Sequence, residues 1–578
     1  MSAFEVWAPK ATKVEVVVGG RCVPMSRSGS AHGWWRANGQ EAVAGTDYAF
    51  RIDGGPPLPD PRSPWQPYGI DRPSRLLDHA AFPWTDQAWR GFHLPSAVLY
   101  ELHVGTFTPE GTFDAVIDRL DHLVDLGITA VELLPVAEFG GARGWGYDGV
   151  HLYAPHHAYG GPDGLKRLVD ACHRRGLGVI MDVVYNHLGP TGNHLARFGP
   201  YFTDRYATGW GEAINYDGAH SGGARGLVID NAVMWLRDYH CDGLRLDAVH
   251  AILDRSALHI LEELAVRIDA LSAQLGRPLH LIAESDLNDP RLIRPRAAGG
   301  YGLDASWSDE FHHALHAVLT GETSGYYEDF GSLANLAKAL RQSYVYDGVW
   351  SDYRKRVHGR PPGEVPTYRL LAYLQNHDQV GNRAAGERIT ALTSVARTKI
   401  GAALVLTSPF VPMLFQGEEW GASSPFQYFT DFADPELGRA VSQGRRSEFS
   451  TFGWSPEDVP DPQDPATFER SKLDWSELDR PPHHDLLDWH RRLIALRRRL
   501  PDLTDPVIGA TQTAFDEHAG WVVATRGRTT IACNLGTGPV TLPAYGRLVL
   551  ASDPAVHTDP GHLRLPPDTI AILEADTQ

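Results

Sequence analysis

The stretch that decides the fold is DGLRLDAVHAIL, residues 242–253. Side chains alternate faces along a β-strand, so Leu244 and Leu246 point one way while Arg245 and Asp247 point the other. The apolar surroundings are those of a strand covered on both faces, as in the parallel sheets of α/β proteins. Burying an arginine and an aspartate there costs several kcal/mol each unless they are paired or used. The strand therefore reads as a carrier of polar groups to a site.

The same pattern recurs on both sides of it. AVLYELHV, ITAVELLPV, GVIMDVVYNH, LHLIAESD, LAYLQNHD and PFVPMLFQGEE are apolar strands, and GLDASWSDEF is the candidate for a sixth strand in the series. Amphipathic helices lie between them, for example TFDAVIDRLDHLVDLG and GLKRLVDACHRRG. Strand–helix alternation over residues 91–501 predicts a (β/α)₈ TIM barrel, with a short insertion around 188–225. A doubly wound sheet is the alternative, but no Gly-rich phosphate loop follows the first strand.

Before the barrel, residues 1–90 hold short alternating segments, FEVWAP, KVEVVV and YAFRID, and a Pro-rich run. After it, residues 502–578 alternate again in GWVVATRG, TTIACNLG and GRLVLAS. Both flanks predict small β-sandwich domains.

Composition narrows the function. The 578 residues carry a formal net charge of −18, which disfavours a nucleic-acid partner, since phosphate contacts need clustered Lys and Arg. The basic run RRLIALRRRL keeps helical spacing of its apolar residues and reads as a solvated helix face. Four scattered cysteines without a CxxC pair fit a reduced, cytoplasmic compartment. No signal-like N-terminus and no membrane-length apolar run is present.

The polar residues collect at the C-terminal ends of the strands. The third strand gives Asp182, Asn186 and His187, the fourth Arg245, Asp247 and then His250, the fifth Glu284, the seventh His377 and Asp378, and the eighth Glu418 and Glu419. In a barrel these tips converge on one mouth. One buried Asp is most simply an ion-pair member, but five strands ending alike are hard to explain that way. Carboxylates without a Cys/His set or HExxH point to acid–base and nucleophilic chemistry at a glycosidic bond rather than to zinc chemistry. Arg245, on the face of Asp247, would keep that carboxyl ionised, while a second carboxyl of raised pKa would serve as the acid.

As an ordered set, DVVYNH, GLRLDAVH, the Glu of AESD, and QNHD resemble the four short motifs of the α-amylase family, glycoside hydrolase family 13. The N-terminal segment followed by WGYD looks like the branching-enzyme, isoamylase and trehalohydrolase branch, in which that first domain is carbohydrate-binding-module-like. VGTFTPEGTF, LQNHDQVGNRAAGER and MLFQGEEWGASSPFQYFTDFADPELG resemble the malto-oligosyltrehalose trehalohydrolases within that branch. The resemblance implies a retaining hydrolase that cleaves the α-1,4 bond between a maltooligosaccharide and a terminal trehalose. Asp247 would be the nucleophile, Glu284 the general acid and base, and Asp378 the residue holding the sugar hydroxyls. Tyr147, His187, Arg245 and His377 would surround the cleaved sugar. His250, Trp210, Asn215 and Glu419 complete the expected substrate-binding set, His250 standing where α-amylases usually carry Lys.

Asn186 matches a calcium-binding position of α-amylases, but few acidic residues follow, so no metal and no cofactor is expected. The implied partners are maltooligosyltrehalose and α-1,4-glucan oligosaccharides, with a pathway link to maltooligosyltrehalose synthase. The rival readings are a glucan branching enzyme of the same family and a non-catalytic glucan-binding protein. A retaining pair further predicts that the carboxyls of Asp247 and Glu284 lie about 5 Å apart.

Overall fold

The computed structural model describes residues 4–28, 32–37, 43–209, 211–450, 455, 459–544 and 546–575. Its centre is a closed barrel of eight parallel strands. In chain order these are β1 (Leu99–Leu102), β2 (Ala130–Leu133), β3 (Gly178–Val183), β4 (Gly243–Leu246), β5 (His280–Ala283), β6 (Ala305–Trp307), β7 (Leu370–Tyr373) and β8 (Val411–Phe415). Each strand pairs with the next, and β8 closes on β1 through Met413↔Leu99 and Phe415↔Glu101. The sixth strand falls inside GLDASWSDEF, as the alternating pattern predicts. Every residue of these strands is buried, which is why they read as near-continuous apolar runs.

Helices cover the barrel. Gly161–Arg174 buries one apolar stripe, including Leu165, Leu168 and Val169. The segment predicted as one helix after β1 is two, Phe113–Ile117 and Leu120–Leu126. Thr112 caps the first through the Ala115 N–H, and Gly127 ends the second in a left-handed conformation.

Ahead of the barrel, seven strands join in one sheet, six along one hydrogen-bonded path and the seventh pairing beside it. Behind it, a five-stranded and a three-stranded sheet enclose a core that includes Ala532, Leu542, Leu563, Leu565 and Leu573. Cys22, Cys172, Cys241 and Cys533 are all free. Among the described residues, no helix is long and apolar enough to cross a membrane.

The N-terminal end of the barrel is sealed by a polar knot. Asp242, one residue before β4, is fully buried. Its carboxylate accepts from the indole of Trp89 at 2.8 Å, from Arg277 at 2.6 Å and from the Val179 N–H at 2.9 Å. His173 reaches the same carboxylate at 3.0 Å and Asp86 at 2.8 Å with its other nitrogen. His240 binds Asp86 as well, at 2.8 Å. These partners hold Asp86 and Asp242 below the ordinary carboxylate range, and the two carboxylates raise His173.

Candidate active site

Asp182, Arg245 and Glu284 converge at the opposite, C-terminal end. Arg245 stands in β4 with its side chain fully buried. Its Nη1 donates to both oxygens of Asp182 at 2.9 and 2.8 Å and to Asp247 Oδ1 at 2.9 Å. Its Nη2 lies 3.0 Å from Glu284 Oε2. The guanidinium sits 4.3 Å from the ring centroid of Trp307, which seals it from below. Asp247 and Glu284 thus hang on two nitrogens of one cation. Burial pushes the Glu284 carboxyl well above its ordinary value, with Asp247 and Asp378 adding to the rise and Arg245 opposing it.

The backbone contributes too. Ala248 adopts a left-handed conformation (φ 39°, ψ 51°) directly after Asp247, which is strained for a residue with a Cβ. In return its N–H donates to Glu284 Oε2 at 2.6 Å. Asn186 donates through Nδ2 to Asp247 Oδ2 at 2.6 Å and to the Asp247 carbonyl at 2.9 Å. It therefore serves as a brace for Asp247.

His377 lies just past β7, its Nδ1 2.6 Å from Glu101 Oε1. Its Nε2 is 2.8 Å from the Tyr147 hydroxyl, which donates to Asp182 Oδ2 at 2.7 Å. Despite burial, Glu101 and Asp378 raise the imidazole to about 9. Asp378 accepts from Asn382 at 3.2 Å and keeps 37% of its side chain exposed.

These groups open onto a cavity of about 540 Å³. Of the predicted residues, Tyr147, His187, Asp247, His250, Glu284, His377 and Asp378 line it. Arg245 lies behind the carboxylates. His187 is held by Asn186 at 2.5 Å and by the Tyr147 carbonyl at 3.0 Å, and its burial lowers its pKa. His250 stands at the rim with its Nδ1 3.8 Å from Asp286 Oδ1.

Two predicted residues face elsewhere. Glu419 is fully buried behind β8, bound to the Tyr100 hydroxyl at 3.1 Å and to His122 at 2.8 Å. The chain turns at Gly417 (φ 79°), and Glu419 ends up facing β1 rather than the cavity. Asn215 spends its amide on the insertion's own turns, donating to the carbonyls of Pro200 and Ala219 and accepting from the Gly218 N–H. Both are corrected from substrate contact to structural contact. Trp210 lies outside the described residues.

The sequence reading missed other wall residues. Trp145 and Asp148 flank Tyr147 in WGYD, and burial raises Asp148 to about 6. Tyr428 and Arg445 come from the long excursion after β8. Arg445 sits 4.5 Å over the Tyr428 ring and donates to the Asn382 side chain and the Gly381 carbonyl. No motif or strand tip marks Arg445, which stands in the helix Pro435–Ser450. Glu101 also went unread because it stands mid-strand rather than at a strand tip.

The family model for the alpha-amylase catalytic domain matches residues 78–199, and one for a domain of unknown function matches residues 507–572. A malto-oligosyltrehalose trehalohydrolase of Arthrobacter ramosus is 56% identical over 95% of each chain. One of Mycobacterium tuberculosis is 50% identical over 100% of this chain and 99% of its own. Among solved structures, a candidate alpha amylase from Salmonella typhimurium superposes with a TM-score of 0.89 at 38% identity, covering 99% of this chain and 97% of that one.

Proposed function

The chain belongs to the malto-oligosyltrehalose trehalohydrolase family, and on that premise we propose that it hydrolyses the α-1,4 bond between a maltooligosaccharide and its terminal trehalose unit, releasing trehalose. The observation that carries the reading is the single guanidinium of Arg245 joining Asp182, Asp247 and Glu284 beneath an open cavity. A neutral, hydroxyl-rich substrate suits a cleft of carboxylates, histidines and aromatic rings.

Asp247, steadied by Arg245 and Asn186, attacks the anomeric carbon and forms a covalent glycosyl–enzyme. Glu284, held protonated by burial, gives its proton to the leaving oxygen and then takes one from the incoming water. Retention follows from the two displacements. Asp378, at the open rim, binds sugar hydroxyls and favours the distorted ring. His187, His377 and Tyr147 surround the cleaved sugar, with Tyr147 as the stacking surface, His250 on the rim and Arg245 behind the carboxylates.

The substrate would come from an enzyme that builds the trehalose end, a maltooligosyltrehalose synthase, and the free cysteines are consistent with a cytoplasmic setting. The test is product analysis on maltooligosyltrehalose beside plain maltooligosaccharide. Free trehalose from the first supports the proposal. Its absence, or the appearance of α-1,6 branches in amylose, refutes it in favour of a branching enzyme. No turnover on any glucan, with binding intact, would favour a glucan-binding protein.

A further inference from the structure

Glu101 is 1% exposed, in the middle of β1, where a carboxyl has no reason to be unless it is used. Both of its oxygens are committed to one residue. Oε2 accepts from the His377 backbone N–H at 2.9 Å, and Oε1 lies 2.6 Å from His377 Nδ1. A carboxylate can only accept, so Nδ1 carries a proton.

The other ring nitrogen is constrained from the cleft side. Tyr147 gives its single hydroxyl proton to Asp182 Oδ2 at 2.7 Å, so its oxygen faces His377 Nε2, at 2.8 Å, as an acceptor. Nε2 must therefore be a donor as well. An imidazole with both nitrogens donating is a cation.

We propose that Glu101 is a positioning residue that holds His377 doubly protonated, with its Nε2–H directed at the Tyr147 hydroxyl on the cleft wall. Resting on the function proposed above, this inference assigns the cation that faces the sugar-binding rim to a residue outside the cavity.

The charges around His377 agree. Asp378 lies 3.6 Å from Nε2 on the rim side. Asp182 attracts the imidazolium from β3 and Arg245 repels it from β4, while burial lowers His103, beyond β1, to about 4. Glu132 stands beside Glu101 across the β1–β2 pairing, and burial together with Glu101 pushes its carboxyl up. Glu101, 2.6 Å from Nδ1, is the carboxyl closest to the ring, which accords with the rise of His377 to about 9.

The proposal is tested by Glu101→Gln, which keeps shape and an accepting oxygen but loses the charge. The His377 imidazole, followed by NMR titration with His377→Gln as the assignment control, should lose its second proton about 1–2 pH units lower in Glu101→Gln than in the wild type, and Glu101→Asp should restore part of the difference. An unchanged imidazole titration overturns the proposal, even if the overall rate falls, because a purely structural carboxyl would lower the rate without moving that titration. Folding is checked by circular dichroism and melting. If Glu101→Gln does not fold, the wild-type titration decides: an imidazole still doubly protonated above neutrality supports the assignment, and one already neutral at about pH 7 overturns it. Wild-type trehalose release is measured first. If there is none, the functional reading has failed on its own, and the imidazole titration still decides this assignment.

Discussion

The two ends of β4 carry nearly the same chemistry to opposite outcomes. Asp242, at its start, and Asp247, just past its finish, each bind an arginine and belong to networks of carboxylates and histidine. At the start every group is answered: indole, guanidinium, imidazole and backbone N–H close around Asp242, and nothing is left to meet a ligand. Past the finish, Asp247, Glu284 and Asp378 share fewer donors and border open space. A buried ionic cluster becomes a candidate site through the partners it lacks, not through the residues it contains.

The comparison breaks most visibly at Glu284. Glu284→Gln should lower kcat by about 10²–10⁴-fold while glucan binding survives, because ground-state contacts remain; steady-state kinetics with calorimetric binding checks this. At the other end, Asp242→Asn should leave kcat of the folded enzyme unchanged but cost about 3–5 kcal/mol of stability, since Arg277 and His173 lose their buried partner; denaturant unfolding measures it.

The pH dependence sharpens the contrast. His173 is raised in the folded state, so its stabilising contribution is full below its unfolded value and is lost as pH rises through the raised one. Asp242 and Asp86 are lowered, so theirs is full above the ordinary carboxylate range and is lost as pH falls through the lowered values. Stability should therefore fall on both sides of neutrality, and Asp242→Asn should flatten both slopes in melting curves taken across pH.

Smaller effects are expected nearer the cavity wall. Tyr147→Phe removes the hydroxyl between His377 and Asp182 and should cost about tenfold in kcat/KM. Smallest is Ala248→Gly, which relieves the left-handed strain and should raise stability by up to about 1 kcal/mol, read as a higher Tm.

The comparison also explains what could be read from sequence. Strand alternation in GLRLD puts Arg245 and Asp247 on one face, and the barrel period brings Glu284 and Asp378 to the same mouth, so the core of the candidate site was legible. Glu419 shared the signature of a polar residue after a strand, yet one turn at Gly417 sent it toward Tyr100 and His122. Asn215 was absorbed by turns of its own insertion. Periodicity reports which face a residue takes within an element, but loop direction depends on glycine torsions and distant partners that no local pattern records. Arg445 reaches the wall from the far side of the eighth strand for the same reason.

The shared arginine has a consequence for how this architecture can change over time. Because one side chain answers both Asp247 and Glu284, neither carboxyl can be retuned alone by mutating position 245. A lysine, with a single ammonium in place of the planar fork, would unsettle the pair together. Diversification is thereby steered outward, to rim and loop positions where one contact alters without disturbing its neighbour.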